Sequence, residues 1–290
     1  MVQLKKNAAV SYDGVSISNR KESGTVSVDA YALSGEAELE LNGAHVAANS
    51  SSDTEIGYKL VNSTVENAGS GTLQVTHAEN SLSGIVASQG DVEVYNVTGS
   101  MNLEELRIAT GLSVSLLVGD AGTAIEPENE ANVTVVGLAV FEKGATLNAN
   151  LTLAAGSKLR MEGPLHMGST LELVSGADTI TLSGSMYDAV AGMQLGESMT
   201  LFTGVDALVL TFDGVSVTYQ PGDIQAGNRV LASDYFGNMP EQGANQHYYI
   251  TFTNTAVGGG ELAFFLAPEP TTTTLSLLAL CALAARRRRK

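Results

Sequence analysis

Pairs of apolar residues flanking a single residue recur in this sequence at an interval of about 20. They stand at Leu73/Val75, Val92/Val94, Leu112/Val114, Val133/Val135, Leu151/Leu153 and Leu171/Leu173, with first members 19, 20, 21, 18 and 20 residues apart. A second series, Leu138/Val140, Leu159/Met161 and Ile180/Leu182, steps by 21 and 21. Alternation of apolar and other residues is the period of a half-buried strand. A coil of about 20 residues with two or three short strands is what one turn of a parallel β-solenoid needs, because stacked turns bury equivalent apolar residues on one another. The expected fold class is therefore all-β: a right-handed parallel β-solenoid. An antiparallel sandwich or irregular sheet is the competing reading of the same alternation.

Composition agrees with short strands. Trp is absent, aromatics are 6% and Gly numbers 31, so Val, Leu, Ile and Ala must fill the core between Gly-, Ser- and Asn-rich turns. One short stretch, Asn102–Ala109, reads as either a helical turn or a strand. After about residue 194 the rhythm changes. Three closely spaced strands are expected at Met199–Phe202, Ala207–Phe212 and Val215–Tyr219, with Gly204 and Asp213-Gly214 as turns. A hairpin of His247–Thr253 and Glu261–Ala267 follows. This second group is expected to form a small antiparallel β cap over the open end of the coil, since an exposed terminal strand is prone to association. The organisation predicted is a weakly structured segment 1–22, a solenoid body 23–193, a C-terminal β cap 194–267 and a distinct tail 268–290.

The tail has three parts: Pro268-Glu269-Pro270, an apolar run carrying Leu275, Leu277, Leu278, Leu280 and Leu283, and the basic cluster Arg286, Arg287, Arg288, Arg289 and Lys290. Five basic residues and one acidic residue fall within it, so the rest of the chain carries 10 Lys and Arg against 30 Asp and Glu, a net charge of −20. So acidic a body repels nucleic-acid phosphates and anionic lipid headgroups, which excludes nucleic acid as an expected partner. Counted with the preceding threonines, the apolar run has 15 residues and as a short hydrophobic helix would reach about 22 Å, against about 30 Å of bilayer hydrocarbon. It is a weak membrane anchor, with the basic cluster held on the cytoplasmic side.

This arrangement resembles the PEP-CTERM sorting signal of bacterial surface proteins. The resemblance implies an exosortase, a membrane-embedded thiol transpeptidase, as processing partner. Pro268, Glu269 and Pro270 would be the recognition element, Leu275–Ala285 the membrane stop and Arg286–Lys290 the retention cluster. The apolar run is shorter than the family usually shows. Stretches such as GSGTLQVT, GDVEVYNVTGS and ATLNANLTLAAGSKLRM, within about residues 65–185, are similar to the repetitive passenger regions of autotransporter-type surface proteins. The implied location is the cell envelope or surface, or the medium, with transient anchoring in the inner membrane. The opening MVQLKKNAAVSYDG has two lysines but no apolar run behind them, so it is not a secretory signal. The chain is therefore expected to be the later part of a longer gene product; unusual export is the alternative.

Motifs for chemistry are absent. There is no G-x-S-x-G elbow, H-E-x-x-H, P-loop or G-x-G-x-x-G, and the single cysteine, Cys281, lies in the tail. His45, His77, His166 and His247 are far apart in the sequence, Glu126, Glu128 and Glu130 read as a solvated acidic turn, and Asp206, Asp213 and Asp223 read as turn residues. No metal, cofactor or catalytic residue is expected. Five N-x-[ST] sequons begin at Asn49, Asn62, Asn96, Asn132 and Asn150. The expected function is that of a non-enzymatic surface or matrix protein active in adhesion or envelope structure. The alternatives are a carbohydrate-binding or carbohydrate-active solenoid in contact with extracellular polysaccharide, and a fragment of a longer surface adhesin.

Overall fold

The computed structural model describes residues 9–13, 16–19, 26–28, 38–97, 100–225, 228–243, 245–256 and 258–269, with backbone only before residue 40. Strands dominate, and among the described residues the single α-helix is Ser185–Ala191. The strands form two sheets, between which the chain alternates as it advances. Each strand pairs in parallel with its counterpart in the next circuit. Val92 lies between Leu73 and Val114 in one sheet. In the other, Leu151 lies between Val133 and Leu171, which in turn faces Leu208. These inward residues are 0–1% exposed, so each circuit buries its apolar row on the rows either side. Burial of this kind is the main stabilising term, at roughly 1.5–3 kcal/mol per fully buried Val or Leu.

Single strands of one circuit can serve two strands of the next. Asn132–Phe141 pairs with Asn150–Leu153 through its first half and with Lys158–Met161 through its second. The joint is a register shift between Leu103 and Glu105 on the preceding strand. Gly137 sits over it because a Cβ there would lie 2.1 Å from the Glu104 carbonyl oxygen. A circuit thus has three straight stretches, two in the first sheet and one in the second.

That joint corrects the expected register. Leu138/Val140 were expected to stack on Leu159/Met161, but Ala139 lies on Leu159 and Phe141 on Met161. The extra residue at the bulge reverses the side-chain alternation of the second half. Likewise Val92 meets Val114 rather than Leu112, and the first series crosses from one sheet to the other between Val114 and Val133. Asn102–Ala109 falls within the strand Ser100–Ile108, with its last residue just beyond, because parallel partners on both sides bury Leu103, Leu106 and Ile108.

Parallel pairing continues through Ala207–Phe212, and each ladder then stops differently. In the first sheet Asp213 and Gly214, with φ of 48° and 76°, turn the chain into the antiparallel strand Val215–Tyr219. In the second sheet Ser198–Val205 meets the antiparallel pair Gly260–Pro268 and Gln246–Asn254. The short strand Thr181–Leu182 is met by a side chain. The Asn238 amide accepts from the Leu182 N–H and donates to its carbonyl, both at 2.7 Å, as a neighbouring strand would. The expected C-terminal hydrophobic helix lies outside the described residues.

Candidate sorting element at the end of the last strand

The strand Gly260–Pro268 is the inner member of its antiparallel group, hydrogen-bonded to Ser198–Val205 on one side and to Gln246–Asn254 on the other. Leu262, Ala263, Phe264, Leu266 and Ala267 are buried, and the Phe264 ring packs edge-on against Phe236 at 5.0 Å. This anchoring brings Pro268 and Glu269 to the surface at a fixed place. Pro268 pairs with Gln246 as the last residue of the ladder. Glu269 adds one more backbone bond, its N–H donating to the Asn245 carbonyl at 2.8 Å. Its Oε1 lies 2.6 Å from His247 Nε2, with the two side chains 51% and 42% exposed. An ion pair so open to water contributes at most about 1 kcal/mol, so it orients the carboxylate more than it stabilises the fold.

Beside this exit lies a cavity of about 350 Å³ whose lining includes Met239, Pro240, Gln242, His247 and Tyr248. Tyr248 donates its hydroxyl to the Val190 carbonyl at 2.7 Å and accepts from the Gln242 amide, and burial raises its pKa. Pro270, the leucines expected to form a membrane segment (Leu275, Leu277, Leu278, Leu280 and Leu283) and the basic cluster Arg286, Arg287, Arg288, Arg289 and Lys290 lie outside the described residues. Among the described residues no helix is long and apolar enough to cross a membrane.

The four histidines are not brought together. His45 pairs with Glu66 at 3.1 Å, His77 Nδ1 accepts from the Glu79 N–H, His166 sits 3.3 Å from the Thr203 hydroxyl, and His247 faces Glu269. Among the described residues no three His, Cys, Asp or Glu side chains are grouped to hold a metal ion. A cleft of about 530 Å³ spans neighbouring circuits and is lined by Asn62, Glu79, Asn80, Asn102 and Glu104, with no aromatic ring among its lining residues. Two sequon asparagines are engaged between circuits: Asn96 donates to the Thr76 carbonyl and Asn150 accepts from the Thr170 N–H.

The acidic turn needs one correction. Glu126 and Glu128 are exposed, but Glu130 is half-buried where the chain enters the strand Asn132–Phe141. Burial pushes its carboxyl up to about 7 from an ordinary 4.5; the nearby Ser169 hydroxyl offsets part of this and the Asp206 carboxylate adds to it. Its Oε2 is buried without a hydrogen-bond partner among the described residues. Because the folded pKa lies above the unfolded one, this group's contribution to stability is complete below about pH 4.5 and is lost as pH rises through about 7. Glu130→Gln is therefore expected to unfold at higher urea than the wild type at pH 8, by about 1–2 kcal/mol after allowing for solvent screening, and to gain little at pH 4. Equal gains at both pH values would contradict the assignment.

Comparison of the chain with protein-family models, with curated proteins and with solved structures finds no match.

Proposed function

We propose that this chain is a non-enzymatic bacterial cell-surface or extracellular-matrix protein, sorted and processed through its C-terminal Pro-Glu-Pro signature. The observation that carries the proposal is the exposed position of Pro268 and Glu269 beside a firmly anchored strand. Glu269 makes a backbone hydrogen bond to Asn245 one residue beyond the strand Gly260–Pro268, and Pro268 and Glu269 are exposed. A cut beyond the signature would leave every described strand in the released body. The body would leave the membrane intact, while the apolar run and basic cluster stay behind.

On this reading the stacked circuits form a right-handed parallel β-solenoid, the hand that parallel crossover connections almost always take. Within the expected cap, residues 194–267, the antiparallel strands after Phe212 end the parallel ladders. The partner is an exosortase-type processing enzyme. Residues 271–290 supply the transient inner-membrane anchor, and the acidic body stays clear of anionic headgroups. Adhesion or envelope structure is the role such a stalk would serve.

The test is fractionation of cells making an epitope-tagged copy under its own upstream sequence. The tagged body is expected in the envelope or medium with its C-terminus shortened. An uncut product confined to the cytosol would refute the proposal.

A further inference from the structure

We propose that Val215–Tyr219 is a self-pairing edge through which two copies of this chain join about a two-fold axis. Among the described residues the strand is the last of its sheet, and Val215, Val217 and the adjoining Phe212 are 67%, 46% and 41% exposed. Registers of Phe212 with Val215, Leu210 with Val217 and Leu208 with Tyr219 put these apolar residues on the side that elsewhere faces the core. Leu208 and Leu210 are covered there, and Tyr219 packs partly against the core. The outer strand continues the core surface without its cover.

Among the described residues nothing along this edge guards it. Val-Ser-Val-Thr-Tyr has no charge and no proline, and its pairing with Ala207–Phe212 shows no bulge, whereas edge strands are normally blunted by one of these. The second sheet, by contrast, ends on the two-residue strand Val230–Leu231.

The hairpin geometry says which backbone groups are free. Across a two-residue loop with both φ positive, the flanking pair Phe212 and Val215 exchanges hydrogen bonds, and the pattern alternates from there. Val215, Val217 and Tyr219 therefore point their N–H and C=O groups inward, and Ser216 and Thr218 point theirs outward. The outward run ends at Gln220, whose N–H is held by the Asp223 carboxylate at 2.7 Å.

These features select the occupant. An antiparallel copy centred on Val217 sets Ser216 opposite Thr218 of the second copy and the reverse, so the free groups meet in hydrogen-bonded register. On the apolar face Val217 then meets its own counterpart and Val215 meets Tyr219, a β-branched residue against an aromatic. A two-fold interface must be self-complementary, and this strand is so on both faces. With the Phe212 rings added, the contact is at the small end of specific interfaces, on the order of 1,000 Å², which fits a micromolar dimer. Each body carries a net charge of −20, and Asp213 and Asp223 flank the strand. The dimer should therefore tighten as salt screens the repulsion, whereas a cationic partner at this edge would be released by salt.

The experiment uses the full chain carrying Cys281→Ser, which removes its one cysteine. Sedimentation equilibrium is expected to show monomer and dimer, with the dimer favoured by added salt and weakened at least tenfold by Val217→Lys. Val217→Cys is expected to form a disulfide-linked dimer on mild oxidation, because only this position meets itself at about 4.5 Å between Cα atoms. Ser216→Cys, displaced along the strand from its own copy, is expected not to crosslink. The far-ultraviolet spectra of the variants show whether they fold. A monomer at all concentrations, assemblies that grow beyond dimers, a dimer weakened by salt, or equal crosslinking at both positions would each overturn the proposal.

Discussion

Asn67→Ala is expected to lower the unfolding free energy by about 3 kcal/mol, the first of two large losses expected at one corner between circuits. Asn67 is 1% exposed and its side chain closes a corner between circuits. Its Nδ2 donates to the Gly71 carbonyl at 2.6 Å and to the Asp91 carbonyl at 2.8 Å, while Oδ1 accepts from the Gly69 N–H at 3.2 Å. One amide thus satisfies three backbone groups on two successive circuits. Alanine leaves the Gly71 carbonyl and the Gly69 N–H without this partner, at roughly 1–3 kcal/mol for each group that water cannot reach, while the Asp91 carbonyl keeps its bond from the Leu73 N–H. The bonds that Ser88 and Gln89 make to the Asn67 carbonyl survive, because they use its backbone. Asn67→Asp is expected to be worse than alanine at neutral pH, since it aims a carboxylate at two carbonyl oxygens. Urea unfolding followed by circular dichroism gives the values; an aspartate variant as stable as the wild type would show that these bonds do not hold the corner.

Gly90→Ala is the second, with a loss of about 3 kcal/mol or failure to fold. A Cβ at this position would stand 2.3 Å from the Gly71 carbonyl oxygen, 2.4 Å from that of Gly69 and 2.6 Å from Asn67 Nδ2. The first two are backbone atoms of the adjacent circuit, which cannot swing aside as a side chain could. To admit the methyl group, the circuits must separate and stretch the parallel ladders on either side of the corner, an overpacking cost at the upper end of the usual range. Asn67→Ala removes one of the three clashes, so the double variant should lose less than the sum of the two single losses. Strict additivity in the same urea series would contradict this shared corner.

How far these features could be read in advance differs by kind. Alternation along a strand is a local property, and it placed the strands Ala207–Phe212 and Val215–Tyr219, and the final hairpin to within a residue at each end. The interval of about 20 carried the parallel stacking because one circuit must return each apolar row to its neighbour. Where a loop intervenes the interval fails. Val114 meets Leu147, 33 residues on, because the loop between Leu116 and Asn132 is inserted into that circuit. Leu171 meets Leu208, 37 residues on, because the helix Ser185–Ala191 is inserted in the next. A period-two pattern also does not say which sheet a strand joins, so one apparent series combined rows from both.

The buried polar features were hidden for another reason. Asn67 sits in an Asn-, Ser- and Gly-rich stretch whose composition suits any turn, and only the stacking of Gly69, Gly71 and Gly90 shows that its amide is enclosed. Glu130 looks like its neighbours Glu126 and Glu128 until the following strand carries it inward. For the candidate sorting element, the signature itself was legible as residues. That Pro268 ends the ladder with Gln246–Asn254, with Glu269 tied to Asn245 and His247, was not, since these contacts join residues more than twenty positions apart.

The intact mass of the protein recovered from the cell envelope or medium tests the account most directly. The proposed processing predicts a C-terminus close to Pro270, with the Leu275–Ala285 run and Arg286–Lys290 missing, and retention of the full tail when Glu269→Ala removes the signature's carboxylate. A wild-type mass that still includes Lys290, or a cut falling inside Gly260–Pro268, would contradict it.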